Sequence, residues 1–417
     1  MLNVKQQYAT DEVLKGQNIL LTGPAGTGKS YTIEYIINSL KNNNKNYGMT
    51  ATTGTAAVLI EGQTLHSFMK IGLGNGSIID NIKKIKRHHG TFKCLAELEV
   101  LIIDEVSMLD AELFDKVSDI FAYIKSSHFN DKELQKKPFG GLQIILVGDF
   151  CQLAPVNGLY CFLSKTWDKL SIKTIVLEEI IRQEGDLLFI KLLQIVRKGR
   201  CTDNILNVLS KLKNTQFHTD IIPTRLYPIN IDVDKINNIE IAKLKSKGNQ
   251  SKLYKAICIE NNNKSSSVLD VELTYGSQVI INRNIDISNG LVNGKRGVIT
   301  YLGEDHVIIR DVNNNAFKIE YYKDINENSY DISRKCYTSY VSHIPVKVCY
   351  AMSIHKSQGM TIDALELDLG ENIFTAGQAY TALSRAKSLN SIKIINVVKE
   401  SFKINPYVKK FYSNILG

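Results

Sequence analysis

The chain is poor in the residues and segments that mark secreted, zinc-stapled or membrane-spanning proteins. It has only seven prolines, and its seven cysteines include no Cys-x-x-Cys pair. Scattered cysteines in odd number indicate neither a disulfide framework nor a zinc site. The segment Met1–Leu21 lacks the apolar core of a signal peptide, and no apolar run reaches the roughly 18 residues needed to span a bilayer. We therefore expect a soluble intracellular protein with no membrane partner, whose compartment could be nucleus, mitochondrion, bacterial cytoplasm or a virus-infected cell.

What is present is an ordinary globular composition with a basic excess. Of the 417 residues, 44% are apolar and 22% charged, and 51 Lys and Arg against 42 Asp and Glu give a formal net charge of +9. A chain of this length exceeds one hydrophobic core and should form roughly two to four domains. The charge suits a polyanionic partner, but many basic proteins bind nothing charged, so charge alone does not identify one.

Short apolar strands alternate with helical patterns along the first third of the chain. The pattern predicts a helix over 30–41 and strands at 18–22, 47–52, 100–103 and 142–147. It resumes later with a helix over 186–198 and strands at 173–177, 364–369 and 391–397. Such alternation is typical of parallel α/β domains, and the long gap predicts that an insertion splits the second one.

The insertion carries the signals of a small β structure. Residues 273–310 are rich in Val and Ile, and the pairs Asn289-Gly290 and Asn293-Gly294 are typical of tight turns between strands. A small β-barrel is predicted there.

A phosphate-binding loop lies between the first predicted strand and the first predicted helix after it. The residues that form it, all assigned to nucleotide binding, are Gly23, Pro24, Ala25, Gly26, Thr27, Gly28, Lys29 and Ser30. Glycines let backbone N–H groups converge on phosphate oxygens, Lys29 supplies charge for the outer phosphates, and the Ser30 hydroxyl can ligate Mg²⁺. The chain is therefore expected to bind a nucleoside triphosphate with Mg²⁺.

Two further strands end in polar residues suited to the same site. Asp104 and Glu105 follow the strand at 100–103, at the carboxyl end where α/β sheets place their ligands. Asp104 is expected to hold magnesium through water, and Glu105 to polarise the attacking water. The competing interpretation is an acidic helix cap, which the upstream phosphate loop makes the weaker one. Gln152, after the strand at 142–147, is placed to sense the terminal phosphate.

Two arginines are candidates for the group that stabilises charge during phosphoryl transfer. A guanidinium from a second domain can neutralise the terminal phosphate and report the nucleotide state. Arg182 stands in Leu-Glu-Glu-Ile-Ile-Arg-Gln, and Arg385 ends Gly-Gln-Ala-Tyr-Thr-Ala-Leu-Ser-Arg. For an arbitrary arginine a solvated surface position would be the better interpretation, so the surrounding motifs carry this assignment.

Taken in order, these motifs resemble the PIF1 family of DNA helicases, RecD-like members of helicase superfamily one. The resemblance spans nearly the whole chain. It comprises Gly23–Ser30 (motif I), Thr53–Ala57 with Gly62–Phe68 (motif Ia), Asp104–Met108 (motif II), Glu112–Lys116 with Pro138–Gly141 (the family signature), Gly148–Val156 (motif III), Arg182-Gln183 (motif IV), Ala351–Thr361 (motif V) and Gly377–Arg385 (motif VI). Ala154, Cys151 and Ser353 depart from the usual family residues, and none of these departures removes a catalytic group.

The resemblance implies a domain arrangement. It implies two RecA-like parallel-sheet P-loop domains, with a small wedge inserted in the first and a small β-barrel in the second. The first domain would cover 1–160, with the wedge at about 67–96; the second would cover 161–240 and 342–417, with the barrel at 241–341. A cleft between the two domains is where the phosphate loop and an arginine finger would meet.

The same resemblance implies function and further site residues. It implies an ATP-dependent motor that travels 5′ to 3′ on single-stranded DNA and unwinds forked duplex, G-quadruplex or RNA–DNA hybrid structures, as a monomer in solution. Gln6 would read the adenine edge, with Gln7 as the neighbouring alternative, and Gly359 and Tyr380 would complete the ATP site. The groups expected to contact DNA are Thr53, Gly54, His66, Phe68, Asn293, His355, Lys356 and Ser357.

Some alternatives stay open at this stage. His355 could be a core histidine, although its motif favours DNA, and for Phe68, Tyr350 and Tyr380 core packing competes equally with base stacking. A translocase that strips proteins from DNA, a motor on RNA and a nucleotide-gated DNA-binding switch are rival functions. The intact Asp104-Glu105 pair and both arginines favour turnover over a pure switch.

Overall fold

The structure is a computed structural model. It describes the following residues: 2–60, 62–72, 74, 76–87, 89–156, 158–180, 185–217, 222–228, 230–260, 263–265, 270–283, 285–286, 289, 291, 294–311, 313–325, 330–331, 336–337 and 339–416. The chain divides into two compact units. Unit 1 comprises 1–209, 369–389 and 397–417, and unit 2 comprises 210–368 and 390–396.

Helices and strands alternate through the first half of the chain. In order they are α1 (Val4–Leu14), β1 (Ile19–Thr22), α2 (Lys29–Asn42), β2 (Tyr47–Ala51), α3 (Gly54–Leu59), β3 (Gln63–Thr64), α4 (Leu65–Phe68), α5 (Ile78–Lys86), α6 (His89–Glu97), β4 (Val100–Asp104), α7 (Ala111–Phe129), α8 (Lys132–Lys136), β5 (Gln143–Gly148), β6 (Lys173–Val176), α9 (Leu187–Arg197) and α10 (Asp203–Lys211).

Strands dominate the second half. In order the elements are β7 (Thr224–Tyr227), α11 (Asn230–Ser246), β8 (Ser251–Tyr254), β9 (Ile257–Glu260), β10 (Asn263–Ser265), β11 (Val271–Thr274), β12 (Gln278–Ile281), β13 (Arg296–Leu302), β14 (His306–Arg310), β15 (Ala316–Glu320), β16 (Tyr322–Ile325), β17 (Tyr330–Asp331), β18 (Cys336–Tyr337), β19 (Ser339–His343), β20 (Val346–Val348), β21 (Ala351–Ser353), β22 (Leu365–Leu369), α12 (Gln378–Leu383), β23 (Ile392–Val397) and α13 (Pro406–Leu416). Short 3-10 helices include Val106–Met108, Cys161–Leu163, Trp167–Lys169 and His355–Ser357.

Unit 1 is built on one parallel sheet with the strand order β3-β2-β4-β5-β1-β6. Every residue of β1 and β4 is buried. Strands covered on both faces read as continuous apolar runs, which is why Ile-Leu-Leu-Thr and Val-Leu-Ile-Ile-Asp have no polar alternation. Helix α2 contributes Ile33, Ile36 and Leu40 to the core against this sheet. The predicted parallel α/β architecture is confirmed, and the strands forecast in this region match to within one residue.

One strand lies elsewhere than the sequence suggested. The strand predicted at 173–177 was assigned to the second domain, but β6 pairs in parallel with β1, Ile19 opposite Lys173 and Leu21 opposite Ile175. An apolar run predicts a strand but not the strand it pairs with. Here β6 pairs with β1 on the side opposite β5. Helix α13 likewise belongs to unit 1, although the sequence placed it with the second domain. Residues 161–209 and 369–389, which include Arg385, also belong to unit 1 rather than to the second domain expected from the sequence. The bounds of the wedge and of the inserted β-barrel stay predictions.

Unit 2 contains a second, smaller sheet with two parallel strand pairs, and several antiparallel sheets. The order β21-β7-β22-β23 includes the parallel pairs β7–β21 and β7–β22. The largest antiparallel sheet, β15-β14-β13-β12-β20, has its own core, which includes Leu273, Val279, Ile299, Val307 and Ile309. Strands therefore occupy the region 273–310 as predicted. Gly290 and Asn293, from the two predicted turns, lie outside the described residues, and barrel closure stays a prediction.

The segment predicted to form a wedge is helical. Helices α5 and α6 occupy it and contact α7. The Lys86 ammonium donates to the Tyr123 hydroxyl at 2.9 Å and lies 5.9 Å from the centre of the Phe92 ring, so the two helices are anchored to unit 1. Its role as a wedge stays a prediction.

Candidate active site

The phosphate loop connects β1 to α2 in a conformation that requires glycine at two positions. Gly23 has a φ of +149°, and a Cβ added there would lie 2.3 Å from the Leu177 carbonyl oxygen. Gly28, with a φ of +79°, precedes the first residue of α2 in the left-handed region. Side chains would be excluded at the first and strained at the second. The loop backbone is thus fixed against the end of β6, with the amino terminus of α2 behind it.

Lys29 is held by the loop that it would share with a nucleotide. Its ammonium donates to the Gly23 and Pro24 carbonyl oxygens, each at 2.9 Å. Burial lowers the pKa of Lys29, and the carboxylates of Asp149, Glu105 and Asp104 act in the opposite direction. The parallel strand order β4-β5-β1 brings the Asp104-Glu105 pair, Asp149 and the loop that carries Lys29 to the same edge of the sheet. Phosphate oxygens are better partners for a buried ammonium than two carbonyls, so the loop suits an anionic ligand.

The two carboxylates after β4 differ in environment. Burial and the neighbouring Glu105 raise the pKa of Asp104 to about 7, although its Oδ1 accepts the Glu105 N–H at 2.8 Å. Glu105 has a φ of +52° and a ψ of +43°, a left-handed conformation that costs a non-glycine residue free energy. The Thr52 hydroxyl donates to the Glu105 carbonyl oxygen at 2.8 Å and helps to hold this turn. Strain of this kind clusters at functional sites, where it aims a side chain.

Ser30 and Asp104 are the residues that could hold Mg²⁺. Among the residues described, no group of three or more His, Cys, Asp and Glu is arranged to hold a metal ion. Magnesium at a nucleotide site keeps several waters and takes one or two protein ligands together with phosphate oxygens, so the Ser30 hydroxyl and the Asp104 carboxylate would suffice. A buried carboxyl that resists ionisation is also a group that a divalent cation would relieve.

In the segment after β5 the backbone of Gln152 is closely packed and hydrogen-bonded, whereas its side-chain oxygen has no hydrogen-bond partner among the described residues. The Gln152 N–H donates to the Asp149 carbonyl oxygen at 2.9 Å, and a Cβ added to Gly377 would lie 2.3 Å from the Gln152 carbonyl oxygen. The Gln152 side chain is buried, and its Oε1 has no hydrogen-bond partner among the described residues. A buried amide oxygen without a partner carries a desolvation cost. A polar ligand that brings a hydrogen-bond donor to the Gln152 Oε1 would remove this cost.

Asp149 is the centre of a buried network that the sequence did not reveal. Arg197 donates to both of its carboxylate oxygens at 2.9 Å, Tyr380 donates to Oδ2 at 3.0 Å, and Tyr412 donates to Oδ1 at 3.2 Å. The Cys151 N–H also donates to Oδ1, at 3.1 Å. Although burial raises the pKa of Asp149, the guanidinium of Arg197, the Lys29 ammonium and the Cys151 N–H hold it below its usual value. The carboxylate is therefore charged and fully partnered.

Two other predicted nucleotide residues are engaged with the loop. Gln6 is buried; its Oε1 accepts the Asn3 N–H in a capping box of α1, and its Nε2 lies 3.5 Å from the Thr27 carbonyl oxygen. The Thr27 hydroxyl donates to the Pro24 carbonyl oxygen at 2.9 Å. Tyr380 accepts the Ala25 N–H at 2.9 Å. Gly26, Ser30 and these residues thus lie in unit 1, while Gly359, with a φ of +80°, lies in unit 2.

Of the two candidate arginines, only Arg385 lies within the described residues. Arg385 is buried, with Nε donating to the Thr381 carbonyl oxygen at 3.0 Å and Nη2 to the Ser384 hydroxyl at 2.8 Å. It belongs to unit 1, with the phosphate loop. Arg182 lies outside the described residues. The catalytic role of each stays a prediction.

The predicted DNA contacts of unit 1 gather around α3 and α4. Thr53 precedes α3, where its hydroxyl accepts the Ala56 N–H at 3.2 Å, and Gly54 opens that helix. His66 lines a cavity of about 210 Å³ with Thr52, Asp110 and Lys116. Burial lowers the pKa of His66, and Asp110 opposes that shift. The tip of the Phe68 ring lies against Gly48, where an added Cβ would be 2.5 Å from Cζ.

The predicted DNA contacts of unit 2 lie on the turn after β21. His355, Lys356 and Ser357 form a short 3-10 helix. Burial lowers the pKa of His355, whereas Lys356 is exposed. The Ser357 hydroxyl donates to the Ile354 carbonyl oxygen at 2.8 Å. Asn293 lies outside the described residues.

A phosphate loop, an acidic pair and a buried carboxylate at the carboxyl ends of one parallel sheet define the class, a P-loop nucleotide-binding protein. Residues 1–205 match the family described as PIF1-like helicase, and residues 259–302 match the 2B domain of DNA helicase Pif1. The chain belongs to the PIF1-like helicase family, which confirms the resemblance drawn from its motifs.

The similarity to known proteins extends over nearly the whole chain. It is 35% identical over 428 residues to the Xenopus laevis protein named ATP-dependent DNA helicase PIF1, covering 99% of this chain and 64% of that relative. The chain therefore spans less than two thirds of the length of that protein. The crystal structure of Pif1 helicase from Candida albicans is similar, with a TM-score of 0.81, 30% identity, and coverage of 100% of this chain and 99% of that one.

A second solved structure is that of Bacteroides sp Pif1 in complex with ADP-AlF4. It has a TM-score of 0.79 and 26% identity and covers 100% of this chain and 97% of that one. Within the part of this chain that is described, no helix combines the length and apolarity needed to cross a membrane.

Proposed function

We propose that this chain is an ATP- and Mg²⁺-dependent DNA helicase that moves 5′ to 3′ on single-stranded DNA and separates duplex. The observation that carries the proposal is that the phosphate loop with Lys29, Asp149 and the Asp104-Glu105 pair follow or end three adjacent parallel strands, β1, β5 and β4, at one edge of the sheet. Membership of the PIF1-like helicase family and the name of the Xenopus laevis relative support the substrate pair, ATP and DNA.

Each residue of the site has a chemical task in this proposal. Backbone N–H groups of Gly26–Ser30 and the Lys29 ammonium bind phosphate oxygens, and Gln6 reads the adenine edge. Ser30 and Asp104 hold Mg²⁺, which when bound neutralises developing charge on the phosphates. Glu105 accepts a proton from the attacking water, Gln152 senses the terminal phosphate, and Arg385 and Arg182 stabilise the charge spread over it. Gly359 and Tyr380 complete the nucleotide site.

DNA would be held mainly through its phosphates. A motor must tolerate every sequence, so hydroxyls, backbone amides and short cationic contacts are the suitable groups. Thr53, Gly54, His66 and Phe68 would serve from unit 1, and His355, Lys356, Ser357 and Asn293 from unit 2. We propose further that the chain acts as a monomer in solution and that forked duplex and G-quadruplex structures are among its substrates.

ATP turnover with and without single-stranded DNA is the first test. Wild-type turnover should rise on adding DNA. Glu105→Gln should lower kcat by about a hundredfold or more while ATP binding is kept, and Arg385→Ala should lower it at least as much. Glu133→Gln and Arg310→Ala alter exposed side chains and are the matched controls. Equal turnover in all five proteins would refute the assignment, and ATP binding with negligible wild-type turnover would favour a nucleotide-gated DNA-binding switch.

Unwinding of forked substrates is the second test. Forks with a single 5′ or a single 3′ tail, in duplex, RNA–DNA hybrid and quadruplex versions, separate polarity from substrate class. Strand separation should require the 5′ tail. DNA-stimulated turnover without separation of any fork would favour a translocase that strips proteins, and stimulation by RNA alone would favour an RNA motor.

A further inference from the structure

Of the two tyrosines bound to Asp149, Tyr380 also contacts the phosphate loop, and Tyr412 contacts Thr22, the last residue of β1 before that loop. Tyr380 accepts the Ala25 N–H at 2.9 Å and donates to Asp149 Oδ2 at 3.0 Å. Tyr412 lies 2.7 Å from the Thr22 hydroxyl and donates to Asp149 Oδ1 at 3.2 Å. A phenol has one hydrogen, so the Tyr412 hydroxyl, donating to Asp149, accepts from Thr22. Together the tyrosines connect the buried carboxylate to the start of the phosphate loop, at Thr22 and Ala25.

The same carboxylate fixes the segment that carries Gln152. The Cys151 N–H donates to Asp149 Oδ1, and the Gln152 N–H donates to the Asp149 carbonyl oxygen. Tyr412 reaches this segment a second time, because its hydroxyl accepts the Phe150 N–H at 3.2 Å. Gly377, one residue before α12, allows that helix to abut the carbonyl oxygens of Cys151 and Gln152. The Gln152 segment and the phosphate loop therefore share one set of partners.

Arg197 compensates the charge of the buried Asp149 carboxylate. Its two hydrogen bonds to Asp149 are bidentate, and its guanidinium lies 4.7 Å from the centre of the Tyr412 ring. Asp149 is fully buried, and a lone carboxylate there would lose its hydration without replacement. Arg197, two phenols and one backbone N–H donate to the Asp149 carboxylate and fill its acceptor sites. Because these donors share one carboxylate, a shift of one would disturb the hydrogen bonds of the others.

We infer that Tyr412 and Tyr380 are positioning residues of the ATP site, which with Asp149 and Arg197 hold the phosphate loop and the Gln152 segment in one fixed geometry. Helix α13 is thereby part of the ATPase site, although it lies at the far end of the sequence. The inference rests on the proposed function, since it concerns ATP turnover. Neither tyrosine needs to touch the reacting atoms, because each acts through Asp149 and the loop.

Tyr412→Phe tests the inference with little change in packing. The variant keeps the ring beside Arg197 and removes only the hydroxyl, so every group that contacts the nucleotide remains. We expect kcat for DNA-stimulated ATP hydrolysis to fall about tenfold, the scale of one or two buried hydrogen bonds felt in the transition state. The KM for ATP should change less than about twofold, and one nucleotide should still bind per chain. Tyr380→Phe should lower kcat as well, but because Tyr380 is also proposed to complete the nucleotide site, only Tyr412→Phe tests the positioning role by itself.

Tyr407→Phe is the matched control. It is the same substitution on the same helix, at a side chain that is 53% exposed. Thr22→Val removes the Thr22–Tyr412 bond from the loop side. The double variant Thr22→Val/Tyr412→Phe should be little worse than Tyr412→Phe alone, because both changes remove that bond, whereas unrelated structural damage would multiply.

The outcomes separate this inference from the proposed function. A wild-type chain whose turnover is not stimulated by DNA refutes the proposed function before any variant is made. With wild-type stimulation present, a Tyr412→Phe kcat within twofold of the Tyr407→Phe value overturns the inference alone. Loss of binding stoichiometry in proportion to kcat also overturns it, since the tyrosine would then only stabilise the fold.

Discussion

Asp104 combines burial with a neighbouring carboxylate, and this gives it an unusual protonation. Burial first and Glu105 second raise the pKa of Asp104 to about 7. Between its ordinary value near 3.8 and about 7, the folded chain binds a proton that the unfolded chain has released. Folding is then progressively less favourable as pH rises through this window. Above about pH 7 the full cost of a buried charge is present until a cation offsets it.

Replacing Asp104 by its neutral isostere should therefore stabilise the metal-free chain. Asp104→Asn is expected to raise the free energy of unfolding at pH 8 by about 1–3 kcal/mol, with the gain disappearing towards pH 4. Chemical denaturation in the presence of a chelator, repeated across this pH range, measures it. Asp168→Asn, at an exposed carboxylate, should show no such pH-dependent gain. A destabilised Asp104→Asn at pH 8 would contradict the burial argument, and a variant that is both stable and inactive would support the proposed magnesium role.

At the scale of elements, α13 is attached to unit 1 by aromatic side chains as well as by Tyr412. The Phe411 ring stacks on Phe162 with ring centres 4.4 Å apart and meets Phe150 edge-on at 5.3 Å. Trp167, whose ring centre lies 6.0 Å away, belongs to the same cluster and is the only tryptophan in the sequence. The cluster thus carries its own fluorescence probe.

Truncating Phe411 should loosen this attachment. Phe411→Ala removes a stacked ring that is partly buried, and we expect the free energy of unfolding of unit 1 to fall by about 2–3 kcal/mol. Urea titration followed by Trp167 fluorescence reports the change next to the site of substitution. Tyr407→Ala, from the exposed side of the same helix, is the control and should cost well under about 1 kcal/mol. An unshifted Trp167 transition would mean that α13 does not contribute to the stability of the cluster.

Elements and motifs were predictable to different degrees. Short-range patterns predict β1, α2, β4 and β5, because apolar period and glycine chemistry are local properties. Gln152 was identifiable because it follows a strand in a recognisable motif. The partner of β6 and the attachment of α13 were not, since they depend on pairings between distant residues. Tyr412 and Asp149 stand 263 positions apart, and nothing near Tyr412 in the sequence indicates a buried carboxylate.

At the scale of the whole molecule, the net charge and the position of the motifs determine which residues are expected to contribute to DNA affinity. The chain carries a formal net charge of +9, and the groups proposed to contact DNA are divided between unit 1 and unit 2. Several of them are neutral or half-buried, such as Thr53 and His355. Lys356 is exposed and cationic, so among the proposed contacts it is the one whose removal should alter salt dependence.

Lys356→Gln is expected to weaken binding to single strands of every sequence to a similar extent. One lost phosphate contact should reduce the slope of log affinity against log salt by about 0.7 for single-stranded DNA. Fluorescence anisotropy with dT, dC and mixed oligonucleotides over a range of salt concentrations measures both effects. Lys347→Gln, an exposed lysine of the same unit, is the control and should leave the slope as it is. An unchanged slope for Lys356→Gln would remove this lysine from the proposed interface. A loss confined to one sequence would instead place it against base edges, which a motor indifferent to sequence should not contact.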